Sequence, residues 1–481
     1  MIANFVLLIS FILIRSASAW DCCELLGASS ELEDTSVWIV NTQLRGAIQD
    51  EPKLLCELCI CNRGIEEYRG FAGIEIRGSS SAREQAKKSF SVELRSEVSD
   101  DDDEEERASD QAFSLSGLPA DADWVLYAPE SDRSFLRNDL AYWIGRQMVG
   151  NNWTPSTAWV ELFIIDDGTL TSLAELEGSQ LGPDSPYFRG LYMLTEAIRR
   201  GKHRVDVHKS KNGGYIFKHD NDNIDEGDVT FYADKSRLGF VMTYPKGPKV
   251  TPADLAQLRT LINDFESKLV ETSSPSLYRE FIDIASFVDY FLATELTKNP
   301  DGYRGSTFLH VQSKEGTLRA GPMWDYNESF GLCCGYPIEG YQNGGDSTGS
   351  SGGSAISPNG WRFNICEESR RCLVDPLDGI SQYYRLLWED QLFRSSASRR
   401  WKELRQGPLS DDAIKSYLEQ EVNLIRKAAA RNLLAWQGIV DIVGPYYKTW
   451  DERWRQEIHD LEEWVLARAR WMDDALGTYS R

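Results

Sequence analysis

Apolar positions along this chain recur with two different periods, and the changes from one to the other mark out its elements. In GIEIR from Gly73 and SFSVELR at Ser89–Arg95 they alternate with polar positions, and DWVLY at Asp123–Tyr127 is rich in branched and aromatic side chains. The period of two and that content predict strands. Phe135, Leu136, Leu140, Trp143, Ile144 and Met148 then recur at three- and four-residue spacing, which predicts a helix opened by Ser131 or Asp132 with its apolar stripe against the sheet. Strands are predicted again over 159–165, 190–194 and 215–218. The stretch 73–250 therefore reads as an α+β lobe, preceded by a cysteine-containing segment over 20–72.

Beyond it the periodicity is mostly helical. A helix is predicted over 252–270 and another over 286–298, with Ser286 as N-cap and Pro300 as the stop. STFLHVQ and TLRAGPMW read as two strands flanking a turn. The run GGDSTGSSGGS from Gly344 reads as a flexible surface loop. Helices follow in YYRLLWEDQLF, over 410–436 and over 447–476. The expected fold class is α+β, with a C-terminal lobe over 251–481 that carries loops at 299–331 and a helical tail.

Composition narrows the setting. Residues 1–19, MIANFVLLISFILIRSASA, end in the small residues Ala17, Ser18 and Ala19 and read as a signal peptide. Arg15 interrupts the run, which is too short for a spanning helix, so a soluble protein that is secreted or held in the secretory lumen is expected. The net charge of −23 argues against partners that reward positive charge, nucleic acid and anionic lipid among them. Much of the excess sits in SDDDDEEERASD at 99–110, read as a solvated loop. The chain's 9 cysteines point to disulfides in an oxidising compartment, and the odd number leaves one unpaired within the chain. Cys56, Cys59 and Cys61 also offer metal-ligand spacing, but with 5 histidines and no second C-x-x-C disulfides are the better reading.

Candidate chemistry centres on NPDGYRGSTF from Asn299 and GPMWDYNESFG from Gly321. Asp301 follows a predicted helix and Asp325 a predicted strand, 24 residues apart, so a strand pair can bring both carboxylates to one end of a sheet. Mg²⁺ takes one or two protein carboxylates and completes its shell with phosphate oxygens and water. The plain reading of Asp301 alone is a turn residue; for Asp325, Asn327 two positions on adds a second oxygen. Lys88 lies at the end of the apolar face of Phe90, Val92 and Leu94, either snorkelling at the rim or reaching into a cleft. Arg77, Ser79 and Ser80 form a polar turn able to hold phosphate oxygens, although no glycine-rich phosphate loop is present. Asn152 and Asn327 both lie in glycosylation sequons. Asn327 is expected to stay unmodified, since a glycan would obstruct the metal site.

RGSSS at Arg77, KKSFSVEL at Lys87, GLPADADWVLYAP at Gly117, SFLRNDLAYWIGR at Ser134, RGLYMLTEAI at Arg189, ELTKNPDGYRGSTF at Glu295, GPMWDYN at Gly321 and RRWKELRQGPLS at Arg399 occur in one order. Together they resemble the spore coat protein H (CotH) kinase family from about Gly73 to Leu418. The resemblance implies a two-lobed atypical protein-kinase-like fold with ATP between the lobes, Mg²⁺ or Mn²⁺ as cofactor, and Ser or Thr of a secreted or surface protein as acceptor. Asp325 then resembles the family's magnesium-binding aspartate and Asp301 the carboxylate that orients the acceptor hydroxyl or holds a second metal. Lys88 would bind the nucleotide phosphates with Glu196 as its ion-pair partner. Ser306 stands where an ordinary kinase has its catalytic-loop asparagine, which leaves Asn327 as a candidate amide ligand.

Two further function classes fit the same residues. One is a surface-binding or adhesin-like protein on the same fold without turnover. The other is a different ATP-dependent transferase, such as a nucleotidyltransferase.

Overall fold

The computed structural model describes residues 22–26, 32, 34–95, 112–148, 153–220, 224–225, 227–271, 276–332, 357–364, 379–436 and 449–479. The signal-peptide reading, the acidic run, the Gly/Ser-rich loop, Asn152 and Cys333, Cys334, Cys366 and Cys372 lie outside these residues.

Seven strands close into a barrel: β1 (Ser36–Asn41), β2 (Leu54–Asn62), β3 (Ile65–Arg77), β4 (Ser89–Arg95), β5 (Asp123–Tyr127), β6 (Thr157–Ile165) and β7 (Phe188–Glu196). Their order is β1-β2-β3-β4-β5-β7-β6, and β6 runs parallel to β1 to complete the closure. Closure leaves no free edge. Alternate residues of each strand fill the interior, among them Trp38, Ile60, Ile74, Val92, Trp124, Leu162 and Leu194. The opposite faces of β1, β2 and β6 are buried as well, with Ile39, Cys59 and Phe163 in a cluster completed by Cys22 and Cys23. Disulfides Cys22–Cys59 and Cys23–Cys61 fix that cover. Among the described residues Cys56 is free and buried.

Residues 36–72 are thus part of the barrel, and the expected boundary at 73 falls inside β3. A strand buried on both faces shows a continuous apolar run instead of alternation; WIV in β1 and LCIC in β2 do that here.

A second, five-stranded sheet has the order β12-β11-β8-β10-β9. Its members are β8 (Tyr215–His219), β9 (Thr230–Tyr232), β10 (Gly239–Tyr244), β11 (Thr307–Val311) and β12 (Leu318–Ala320). Because β8 pairs with β11, the expected boundary at 250 separates strands that share a sheet.

Helices surround that sheet and reach back to the barrel. The predicted helix after β5 spans Arg137–Gln147. It starts late because Asp132 holds the preceding turn, its carboxylate accepting from the backbone N–H groups of Ser134 and Arg137. Helix Ile284–Thr297 is buried on nearly every side, with Asp283 rather than Ser286 as its cap: the Asp283 carboxylate accepts from Ser286 N. YYRLLWEDQLF divides at Asp390 into helices Ser381–Glu389 and Gln391–Arg405. Helices Asp411–Ala435 and Trp450–Gly477 follow, capped by Ser410 and Thr449. Among the described residues no helix is long and apolar enough to cross a membrane.

Helix Asp411–Ala435 straps the outer wall of β6 and β7. Asn432 Oδ1 accepts from Leu191 N and Lys87 Nζ, Trp159 Nε1 donates to Glu421, and Trp436 Nε1 donates to the Arg189 carbonyl. Gly190 allows this approach: at φ +83°, a Cβ there would lie 2.3 Å from Asn432 Oδ1.

Candidate active site

Two loops bring the two predicted aspartates together. Helix Ile284–Thr297 ends in the left-handed Lys298, and the chain turns through Asn299 and Pro300 to Asp301. The second loop leaves β12 through Gly321 and reaches Trp324 and Asp325. Asn299 joins the loops, its side-chain Oδ1 accepting from Asp301 N at 3.2 Å and its Nδ2 donating to the Asp325 carbonyl at 3.0 Å.

Asp325 has φ 64°, a conformation costly for a residue with a Cβ. Neighbours hold it there: its N–H donates to Tyr142 Oη at 3.3 Å, and Tyr326 N donates to Asn138 Oδ1 at 3.0 Å. Ser306 Oγ lies 3.5 Å from Asp325 Oδ2. The side chain is open to solvent, yet protein packs closely around it. That crowding, together with the charge of Asp301, pushes the carboxyl up to about 6, against the opposing pull of Arg77. Asp301 is exposed, and Arg304 Nη1 approaches its carboxylate at 3.6 Å.

Arg77 reaches this site from the barrel. It ends β3, and its guanidinium lies over the Trp324 ring, 5.1 Å from the centroid. Trp324 in turn stacks on Tyr142 at 6.2 Å. A barrel cation and two loop carboxylates therefore sit within electrostatic reach of one another.

Sequence reasoning missed two further carboxylates. Asp220, just past β8, is paired with Lys218 at 2.8 Å and adds to the negative field on Asp325. Glu328 does the same and accepts from Ser131 Oγ at 3.3 Å. An acidic residue directly after the strand YIFKH was the available signal for Asp220. Nothing local distinguished Glu328.

The remaining predicted residues divide. Ser79 occupies the N-cap position of a short helix, Ser80–Glu84, which stands where a polar turn was expected. Lys88 Nζ donates to the carbonyls of Ala82 and Gln85 at the end of that helix. Glu196 lies elsewhere, with its carboxylate on Arg204 Nη1 and on Ser156 N.

The expected Lys88–Glu196 ion pair is therefore not formed, and register explains why. Glu196 pairs with Trp124, and Trp124 with Val92, four residues along from Lys88. At about 3.3 Å per residue that is roughly 13 Å of strand.

The lysine that turns inward is Lys87, with its Nζ 2.6 Å from Asn432 Oδ1 and 4.3 Å from the Tyr192 ring centroid. Asn327 is half-buried and directs its Nδ2 to Glu328 at 3.3 Å, which leaves its amide oxygen as the atom for a cation.

Asp301, Asp325, Asp220 and Glu328 supply oxygen alone, with no thiol or imidazole among them. Among the described residues their oxygens do not close into a group of three within 4.8 Å of one another, but the acidic field they set up around Asp325 suits a hard divalent cation such as Mg²⁺. The arginine across from it suits a phosphate.

No curated protein shows significant similarity to this chain. A family model described as CotH kinase protein matches residues 74–472, a span that takes in Arg77, both aspartates and most of the helical tail. With both carboxylates, the barrel arginine and their supporting loops inside that match, the chain belongs to the CotH kinase family.

Proposed function

We propose that this protein is a secreted, ATP- and Mg²⁺-dependent protein kinase that transfers the γ-phosphoryl group to Ser or Thr hydroxyls of secreted or surface proteins. The observation that carries this reading is the meeting of Arg77, from the barrel, with Asp325 and Asp301, from loops beyond the second sheet. The barrel and the helical region are read as the two lobes of an atypical kinase, with the nucleotide between them.

Asp325, Asp301 and the Asn327 oxygen would hold Mg²⁺, or Mn²⁺ in its place. The cation, when bound, neutralises charge on the transferring phosphoryl group. Arg77 holds phosphate oxygens, helped by Ser79 and Ser80 and by Lys88 at the end of the adjacent helix. The Asp301 carboxylate is exposed to solvent, and its oxygen left free of the cation would orient the acceptor hydroxyl and receive its proton. Asn299 keeps the two carboxylates in register, so that chemistry rests on positioning and fixed charge. Glu196 has no part here, since Arg204 engages it away from Lys88.

The missing Lys88–Glu196 pair favours a second reading, a family member that binds a surface partner without turnover. Incubation with ATP, Mg²⁺ and Ser/Thr-containing acceptor proteins, followed by mass measurement of the acceptor, separates the possibilities. A phosphoryl adduct supports the kinase, a nucleotidyl adduct a different transferase, and an unmodified acceptor with no nucleotide binding the surface-binding protein.

A further inference from the structure

The loop that carries Asp301 is gripped from below by a segment whose sequence suggests no role. Residues 357–364 lie beneath it and meet it twice: Lys298 Nζ donates to the Ser357 and Asn359 carbonyls, and Arg362, 3% exposed, reaches the turn that follows. Arg362 Nε donates to the Asn299 carbonyl at 2.7 Å, and Nη2 donates to the Pro300 carbonyl. Asn299 is the residue whose side chain bridges Asp301 and Asp325. Its carbonyl also accepts from Gly302 N at 3.0 Å, which closes the turn.

Arg362 is itself held in place. Its backbone N–H donates to Glu295 Oε2 at 2.5 Å, and that same carboxylate meets Arg468 of the last helix at 3.2 Å, with both side chains wholly buried. Arg468 also donates to the carbonyls of Pro358 and Gly360. The C-terminal helix thus fixes the segment, the segment fixes Arg362, and Arg362 fixes the backbone of Asn299.

We infer that Arg362 is a positioning residue for the two carboxylates, acting through Asn299, and that the C-terminal helix sets its place through Glu295 and Arg468. The inference rests on the reading of Asp301 and Asp325 as the cation-binding pair. A planar guanidinium satisfies two adjacent carbonyls in fixed directions. A lysine ammonium keeps the charge but not the fork.

The test uses full-length Arg362→Lys, with Asn299→Ser as a second variant that removes the bridging amide and leaves the arginine network intact. Three quantities are read beside a melting curve: Mn²⁺ affinity by electron paramagnetic resonance, kcat and KM for phosphotransfer, and amide hydrogen exchange over 299–306. The expected result for a folded Arg362→Lys is faster exchange at Gly302, Mn²⁺ binding weakened about tenfold, and kcat lowered on the order of 100-fold with acceptor KM little changed. Asn299→Ser should reproduce the losses in Mn²⁺ affinity and kcat, and if Arg362→Lys does not fold, the same three quantities are read on Arg362→Gln, which keeps a donor amide but not the fork.

Unchanged exchange, or faster exchange with wild-type Mn²⁺ affinity, in a folded Arg362→Lys would overturn the inference. So would wild-type Mn²⁺ affinity and kcat in Asn299→Ser. A wild-type protein that binds neither Mn²⁺ nor nucleotide would instead overturn the cation-site reading, and exchange over 299–306 would still decide whether Arg362 holds the loop.

Discussion

Arg431 grips both oxygens of Glu161, at 2.7 and 2.6 Å, and so locks the helical strap to the barrel wall. Glu161 is fully buried and also accepts from Thr35 Oγ1 at 3.0 Å. Removing one member of such a pair strands a buried charge, so Arg431→Met should cost about 3–5 kcal/mol in denaturant unfolding. Changing both residues to apolar ones of similar volume should restore much of that loss. A folded Arg431→Met protein with unchanged stability would show the pair to be idle.

The two adjacent lysines should separate by function. Lys87→Met removes one of the two donors to Asn432 Oδ1 and the lysine bond to the Leu191 carbonyl, and should lower the melting temperature with little effect on ATP affinity. Lys88→Met should leave melting nearly unchanged and raise KM for ATP about tenfold, as expected when one phosphate contact worth about 1.4 kcal/mol is lost. The reverse assignment would remove Lys88 from the phosphate site.

Cation binding should follow the Asp325 carboxyl, raised to about 6 by the crowding of protein around it and by Asp301. Binding requires the carboxylate form. Affinity for Mn²⁺ should therefore be steady above pH 6 and fall about tenfold per pH unit below it. In Arg77→Met the opposing cation is gone, so the fall should begin at higher pH. A flat profile from pH 5 to 7 would exclude Asp325 as a ligand.

His310 gives a stability test of different origin. Its Nδ1 is 2.9 Å from the Gly321 carbonyl, and burial pushes the imidazole down to about 4. The ordinary value is 6.5, so below that pH the unfolded chain takes a proton that the folded one refuses. The stability contribution is thus complete above 6.5 and is lost as pH falls towards 4. His310→Gln should flatten the curve of unfolding free energy in this window, and an unaltered slope would refute the assignment.

The disulfide Cys22–Cys59 closes a loop of sequence separation 37. Chain-entropy reasoning assigns such a cross-link about 4 kcal/mol. Because Cys23–Cys61 closes nearly the same loop, with a sequence separation of 38, a loss of that size in unfolding free energy is expected only when all four cysteines are replaced with serine, with phosphotransfer at low temperature persisting because the site lies elsewhere.

What could be read from sequence was local. Asp301 and Asp325 stand out because each follows a periodic run, and strand β4 shows its alternation plainly. Strands β1 and β2 do not, since the disulfide-linked segment buries their outer faces. Glu196 was misjudged for a related reason: its distance from Lys88 is fixed by the register of three paired strands, which neither residue's neighbours reveal. Asp220, Asn299 and Arg362 enter only when β8, the turn after helix Ile284–Thr297 and residues 357–364 converge on one place.

The most direct measurement is transfer of label from γ-labelled ATP to acceptor protein in the presence of Mg²⁺, with wild type beside Asp325→Asn. The substitution keeps shape and removes the charge that would hold the cation. Transfer by wild type, reduced at least 100-fold in the variant, is the expected result. Equal transfer by the two proteins would contradict the assignment of Asp325.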